Sequence, residues 1–201
     1  MKVGDALENV TWTSSVTIKN SRFEGTISRG TLITTRRKVL VENNVYYRTG
    51  IHAILIENDA EGWYESGPVT DVTIRNNQFI ECGFNSAPNN YVISINPQNH
   101  KMVPNYWVHK NIKIEHNTFK VYDSPILSAR SVVGLVFKNN RAELTDFLTA
   151  AKTKPAFDLT GCRDVKINDN WFDKALDAVI GIKSMTKADV KSDIPFQIKT
   201  K

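Results

Sequence analysis

One eight-residue phrase returns six times along this chain: a short apolar alternation, a polar pair rich in asparagine, and in most copies an aromatic. It reads VTIKNSRF at Val16–Phe23, VLVENNVY at Val39–Tyr46, VTIRNNQF at Val72–Phe79 and IKIEHNTF at Ile112–Phe119. Weaker copies follow as LVFKNNRA at Leu135–Ala142 and VKINDNWF at Val165–Phe172. Successive copies begin 23, 33, 40, 23 and 30 residues apart, so the unit is fixed while its loops vary. A period of this size marks a solenoid, and a strand-turn-strand unit makes that solenoid a β-helix. The expected fold is all-β: a right-handed parallel β-helix of about six coils, a rod roughly 25–30 Å long, with residues 1–201 as one domain.

The phrase also predicts what each position does. Apolar residues two apart, such as Val16 and Ile18 or Val72 and Ile74, have the period of a strand with one buried face. The residues that follow each pair are Lys19, Glu42, Arg75, Glu115 and Lys138, which alternate in sign from coil to coil and should pair across outward rungs. Asn44, Asn77, Asn117, Asn140 and Asn170 share the next slot, with Ser21 in the first copy. Asparagine tolerates left-handed backbone and carries both donor and acceptor, so these residues are expected to stack as a ladder inside the turn. Phe23, Tyr46, Phe79, Phe119 and Phe172 should form an interior aromatic column. Ala142 interrupts that column, and Leu144 or Phe147 is expected to compensate. A second strand per coil is read at GTLITT, HAILIEN, YVISINP, PILSAR, AFDLTGC and AVIGIKS.

The net charge of +5 and pI near 9.1 raise a nucleic-acid reading. The basic residues are dispersed, however, and the one cluster, Arg36-Arg37-Lys38, lacks interleaved aromatics, so no nucleic-acid partner is expected. Cys82 and Cys162 show neither metal nor redox spacing and read as buried thiols. The four histidines show no zinc spacing, and His116 shares a turn with Asn117 and reads as structural. No metal or cofactor is expected, nor a membrane partner, since no stretch reads as a signal peptide or membrane span.

The loop lengths point to a working surface. The second and third coils carry their extra residues after the second strand, at Asp59–Pro68 and Gln98–Lys110. Insertions at one place in adjacent coils project from one side of the rod, which is usually the binding side. The first sets Glu57, Asp59, Glu61 and Glu65 around Trp63 and Tyr64. Carboxylates beside aromatic rings suit sugars, and carboxylate pairs are what glycosidic cleavage requires. A solvated acidic loop with Trp63 covering the apolar column is the alternative. Arg36, Arg37 and His52 fall near strand ends of neighbouring coils and are candidates for the same groove.

The blocks VGDALENVTW, LITTRRKVLVENN, RTGIHAILIENDAEGWYESGPVTDVTIRNNQF and NIKIEHNTF resemble the C-terminal β-helix of glycoside hydrolase family 110, bacterial exo-acting, inverting α-1,3-galactosidases. The likeness is read over Val3 to Arg141, with the last sixty or so residues resembling the family only as repeats. It implies a glycan with terminal α-galactose as partner and a periplasmic or secreted parent. The family's catalytic aspartates are understood to lie upstream, in a motif with adjacent aspartates, and no Asp-Asp occurs here. No residue of this chain is therefore expected to be catalytic. The resemblance carries over at most a substrate-binding wall of Arg36, Arg37, His52, Glu57, Asp59, Trp63, Tyr64 and Glu65. A non-catalytic carbohydrate-binding or structural β-helix is one alternative. A β-helical polysaccharide lyase is another, disfavoured because the outward column alternates in sign instead of clustering carboxylates for Ca²⁺. The first coil starts without a cap, so the chain is expected to be a C-terminal piece of a longer protein. Its exposed edge is expected to form a two-fold homodimer through Ala6–Phe23, unless Met1–Trp12 folds back over it.

Overall fold

The computed structural model describes residues 7–59, 62–63, 67–85, 90–98 and 101–197. The chain winds as a parallel β-helix with three faces, so each coil holds three short strands instead of the two expected. The first sheet takes the apolar alternations, in order Val16–Lys19, Val39–Glu42, Val72–Arg75, His109–Glu115, Val132–Lys138, Arg163–Asn168 and Val190–Ser192. The second collects the aromatic segments, Arg22–Glu24, Val45–Tyr47, Gln78–Ile80, Thr118–Val121, Arg141–Leu144 and Trp171–Phe172. The third is built of Thr31–Ile33, Ile54–Ile56, Ile93–Ile95, Leu127–Arg130, Phe157–Thr160 and Ile180–Lys183. Every strand pairing is parallel and in register with the repeat: Val16 opposite Val39, Val39 opposite Val72, Val72 opposite Ile112.

The additional strand arises at the turn between the first and second sheets. Asn20, Asn43, Asn76, His116, Asn139 and Asp169 all have φ between +54° and +58°. The left-handed residue is thus the one before the ladder position, not the ladder asparagine itself. One left-handed step redirects the chain sharply enough that the aromatic segment starts a new strand on a new face. Asparagine, aspartate and histidine are the side chains enriched in that conformation, which is why His116 can replace asparagine there.

The ladder forms as expected. Asn44 Nδ2 donates to Asn77 Oδ1 at 3.0 Å, Asn77 to Asn117 at 3.0 Å, Asn117 to Asn140 at 3.1 Å and Asn140 to Asn170 at 3.1 Å. Each Oδ1 also accepts the backbone N–H of the preceding rung's asparagine, at 2.9 Å in all four steps. The second Nδ2 hydrogen goes to a first-sheet carbonyl, Val41 for Asn77 and Ile74 for Asn117. Every polar atom of a buried amide is thereby matched, which is the condition for burying one without penalty.

Within the core, Phe23, Tyr46, Phe79 and Phe119 stack with centroids 4.8, 5.1 and 4.9 Å apart. At Ala142 the column shifts sideways. Phe137 from the first sheet takes the gap, 5.6 Å from Phe119, and hands on to Phe157 at 4.9 Å and Phe172 at 6.1 Å. The expected substitutes do not fill it. Leu144 is 38% exposed, and Phe147 packs against Tyr122 and Phe84. Phe137 sits in an inward slot of the first sheet, between Ile114 and Ile167, so its larger ring reaches the space that alanine leaves. Outside, Arg75 pairs with Glu42 at 2.7 Å and Lys138 with Glu115 at 3.6 Å, as the sign alternation predicted. No helix among the described residues is long and apolar enough to cross a membrane.

Candidate functional site

The chemistry gathers on the outer face of the third sheet and at the turn that leaves it. Strand register lines up Leu32, Leu55, Ser94, Ser128, Asp158 and Gly181 as one outward column. A parallel column sets Arg130, Thr160 and Lys183 side by side. The column is apolar in the first coils and becomes hydroxylic, then acidic, then bare. Ser128 Oγ donates to Ser94 Oγ at 3.0 Å.

The sequence-derived residues divide between the two ends of this sheet. Glu57 and Asp59 follow the strand Ile54–Ile56, at the end where both insertions leave. Glu57 accepts a hydrogen bond from Gln98 Nε2 at 2.7 Å, which ties the starts of the two insertions together. Asp59 is 6% exposed, and its carboxylate faces its own loop, accepting the N–H of Gly62 at 2.8 Å and of Trp63 at 3.1 Å. This carboxylate organises the loop. Trp63 projects from it, 79% exposed, as a bare aromatic surface. Tyr64 and Glu65, with Glu61, lie outside the described residues.

Arg36 belongs to the same corner one coil earlier. Its guanidinium pairs with Glu8 and lies against Gly67, where a side chain would collide with it, while its carbonyl accepts the Thr70 hydroxyl at 2.7 Å. Arg37 is exposed beside it. His52 stands apart, because it precedes Ile54–Ile56 at the opposite end of the sheet. Its Nδ1–H donates to the Tyr91 carbonyl at 2.6 Å, and burial lowers its pKa, so the ring is held in one neutral tautomer.

His109 closes the corner. Its Nδ1 accepts the N–H of Val69 at 3.2 Å, across the exit of the first insertion, while the His109 backbone N–H donates to the Ser131 carbonyl at 3.0 Å. The ring is fully buried, and that burial drives its pKa down to about 4. The neutral imidazole thus ties the ends of the two insertions together, and the His109 backbone joins them to the following coil.

Residues that spacing did not reveal complete the face. Tyr91 is 7% exposed, and its hydroxyl has no hydrogen-bond partner among the described residues. The ammonium of Lys154 lies 5.7 Å from the centre of its ring. Burial lowers the pKa of Lys154 and raises that of Asp158, and the two attract each other. Tyr91, Ser94, Ser128, Lys154 and Asp158 come from three different coils. Recognising outward third-sheet positions as one column was the signal available, and it required knowing the register. Among the described residues no group of three or more His, Cys, Asp or Glu is arranged to hold a metal ion.

This coil geometry agrees with a family model, described as right handed beta helix region, that matches residues 7–192. The chain belongs to the right-handed β-helix family. Within it, the chain is 47% identical over 192 residues to an α-1,3-galactosidase A of Bacteroides fragilis, covering 94% of this β-helix and 32% of that protein. An α-1,3-galactosidase B of Bacteroides thetaiotaomicron is 40% identical over 98% of this chain and 32% of its own length. One from Streptomyces avermitilis, an α-1,3-galactosidase A, is 36% identical over 88% of the chain and 28% of its own. The β-helix spans about a third of the length of these curated relatives. The resemblance read in the first two-thirds of the sequence therefore extends through nearly all of it, past Arg141 and into the last coils.

Proposed function

We propose that this β-helix is the glycan-binding portion of an α-1,3-galactosidase-like protein, in which residues 1–201 form one domain of a longer whole. On this reading the outer face of the third sheet and the insertions at its exit bind a glycan ending in α-galactose. Release of galactose requires carboxylates that this chain does not supply. The observation that carries the proposal is the 47% identity over 94% of the chain to an α-1,3-galactosidase. The site supports the division of labour. An inverting glycosidase needs two carboxyl groups about 6.5–9.5 Å apart with a water between. Glu57 is engaged by Gln98, and Asp59 by the amides of its own loop.

The test uses the purified chain and an α-1,3-linked galactobioside. No galactose release above background is expected, with weak binding at the insertion loop, read as amide shifts over residues 57–69, that Trp63→Ala removes. Turnover by the isolated chain that disappears in Glu65→Gln would overturn the non-catalytic reading and move the chemistry into this portion. Shifts over residues 57–69 that are indifferent to Trp63→Ala would remove the insertion loop from the groove.

A further inference from the structure

At the far end of the third sheet the outer face opens into a cleft of about 830 Å³, bordered by Pro155, Asp158, Lys183, Lys187, Phe196 and Gln197. Its volume falls within the range of small-molecule sites, about 300–1,000 Å³. Gly181 follows Asp158 in the outward column, so no side chain of the next rung covers the carboxylate. Pro155 and the Gln197 side chain approach the space over Gly181 from either side, within 3.0 and 3.4 Å of where its Cβ would be. The Phe196 strand segment pairs with Ile180 and closes the lower wall.

Asp158 is the chemical centre of this cleft. Among the described residues its carboxylate accepts no hydrogen bond and forms no ion pair, although it is half-buried. The nearest hydroxyl in its column, Ser128, donates away from it to Ser94. A half-buried carboxyl without donors costs stability that a solvated one does not. Burial raises its pKa, opposed by the positive charges of Lys183 and Lys154. A group held at a cost in the fold, facing a cleft, marks a functional site.

We propose that this cleft is a second sugar subsite, in which Asp158 accepts hydroxyl hydrogen bonds from a neutral hexose whose C–H face rests on Phe196, with Gln197 and Lys183 completing the polar contacts. The charges choose the ligand class. Lys183 and Lys154 disfavour a bare cation at Asp158, so the donors that its acceptor oxygens call for are hydroxyl groups, as a polyol supplies. The mixture of one ring, one carboxylate, one amide and two ammonium groups, with Lys187 Nζ 5.0 Å from the centre of the Phe196 ring, matches a sugar's apolar face and hydroxyl edge. The site lies on the same sheet as the insertion groove but at the other end of its column. The proposal deepens the glycan-binding reading and rests on it for the class of ligand.

The experiment is an amide chemical-shift titration of the full chain with methyl α-D-galactopyranoside and, separately, methyl α-D-glucopyranoside, at up to tens of millimolar. Saturable shifts are expected at Asp158, Gly181, Lys183 and Gln197. In Asp158→Asn, an outward-facing isostere whose fold is checked by its unperturbed remaining spectrum, affinity should fall about tenfold, as loss of one charged hydrogen bond predicts. Trp63→Ala should leave these shifts unchanged. Equal shifts with both sugars would support the subsite while removing the galactose preference of the proposed function. Galactoside shifts confined to residues 57–69, or cleft shifts that Asp158→Asn leaves intact, would overturn the subsite and leave the proposed function standing.

Discussion

The two turns that bound the first sheet are built on opposite principles. The turn after it repeats in the five coils from Asn44 to Asn170: one left-handed residue, then an asparagine whose amide bonds to neighbouring rungs, with Ser21 in that place in the first coil. The turn before it differs in every coil, carrying the Asp59 loop in one, the 98–108 segment in the next, and short left-handed corners at Ser131 and Gly161 in those after. The repeating turn satisfies its polar groups with neighbours of its own kind, so it accepts almost no variation. The variable turn satisfies them locally, through Asp59 to its own loop, or through a single distant anchor, His109. Variation is therefore tolerated at one edge of the third sheet, and the aromatic and polar groups available to a ligand accumulate there. A solenoid separates scaffold from site in this way because each coil contacts only its neighbours.

This contrast can be broken at several points, with effects of decreasing size. The interior column behind the repeating turn should be the most sensitive. Phe79→Ala removes a fully buried ring stacked on both sides, and a loss of about 3–5 kcal/mol is expected in denaturant unfolding. A loss below about 1 kcal/mol would mean that the column relaxes as it does at Ala142.

Acid should separate the two turns. The pKa of His109 falls from 6.5 to about 4 in the fold, so the neutral form is the one the structure stabilises. That contribution is fully present above pH 6.5 and is lost as pH falls toward 4, on the order of 3 kcal/mol in total. Hydrogen-exchange protection at Val69 and the neighbouring corner should fall across that window. Protection at Asn77 and Asn117, whose amides do not titrate, should hold. Equal loss at both turns would show that they unfold as one unit.

Next in size is the ladder itself. Asn77→Ala leaves the Asn44 amide and the Val41 carbonyl without their partner, and a destabilisation of about 1–3 kcal/mol is expected by thermal or denaturant melting. The smallest effect belongs to the outward charges. Arg75→Ala removes the Glu42 pair at a half-exposed site, and about 0.2–1 kcal/mol is expected, decreasing as salt is added. A larger, salt-independent cost would mean that the arginine acts by packing.

Much of this molecule was legible in the eight-residue phrase. The parallel register, the asparagine ladder, the outward charge pairs and the aromatic column as far as Phe119 all follow from local periods. A strand's side chains alternate, and a turn of fixed geometry repeats wherever its residues do. Of the candidate site, the sequence located the edge where the insertions leave and the exposed Trp63. It did not separate His52 from Glu57, which lie five residues apart and at opposite ends of one strand. Nor did it show that the Asp59 carboxylate is turned inward to its own loop.

What only the tertiary structure decided are the meetings across coils of unequal length. Phe137 rather than Leu144 or Phe147 fills the space at Ala142. His109 reaches Val69 across 40 residues. Ser94, Ser128 and Asp158 share one column although no fixed spacing relates them. Short-range pattern determines what each residue contributes to its own coil. Which residues become neighbours in the next depends on how much chain the intervening loop consumes, and register supplies that only when the coils are stacked.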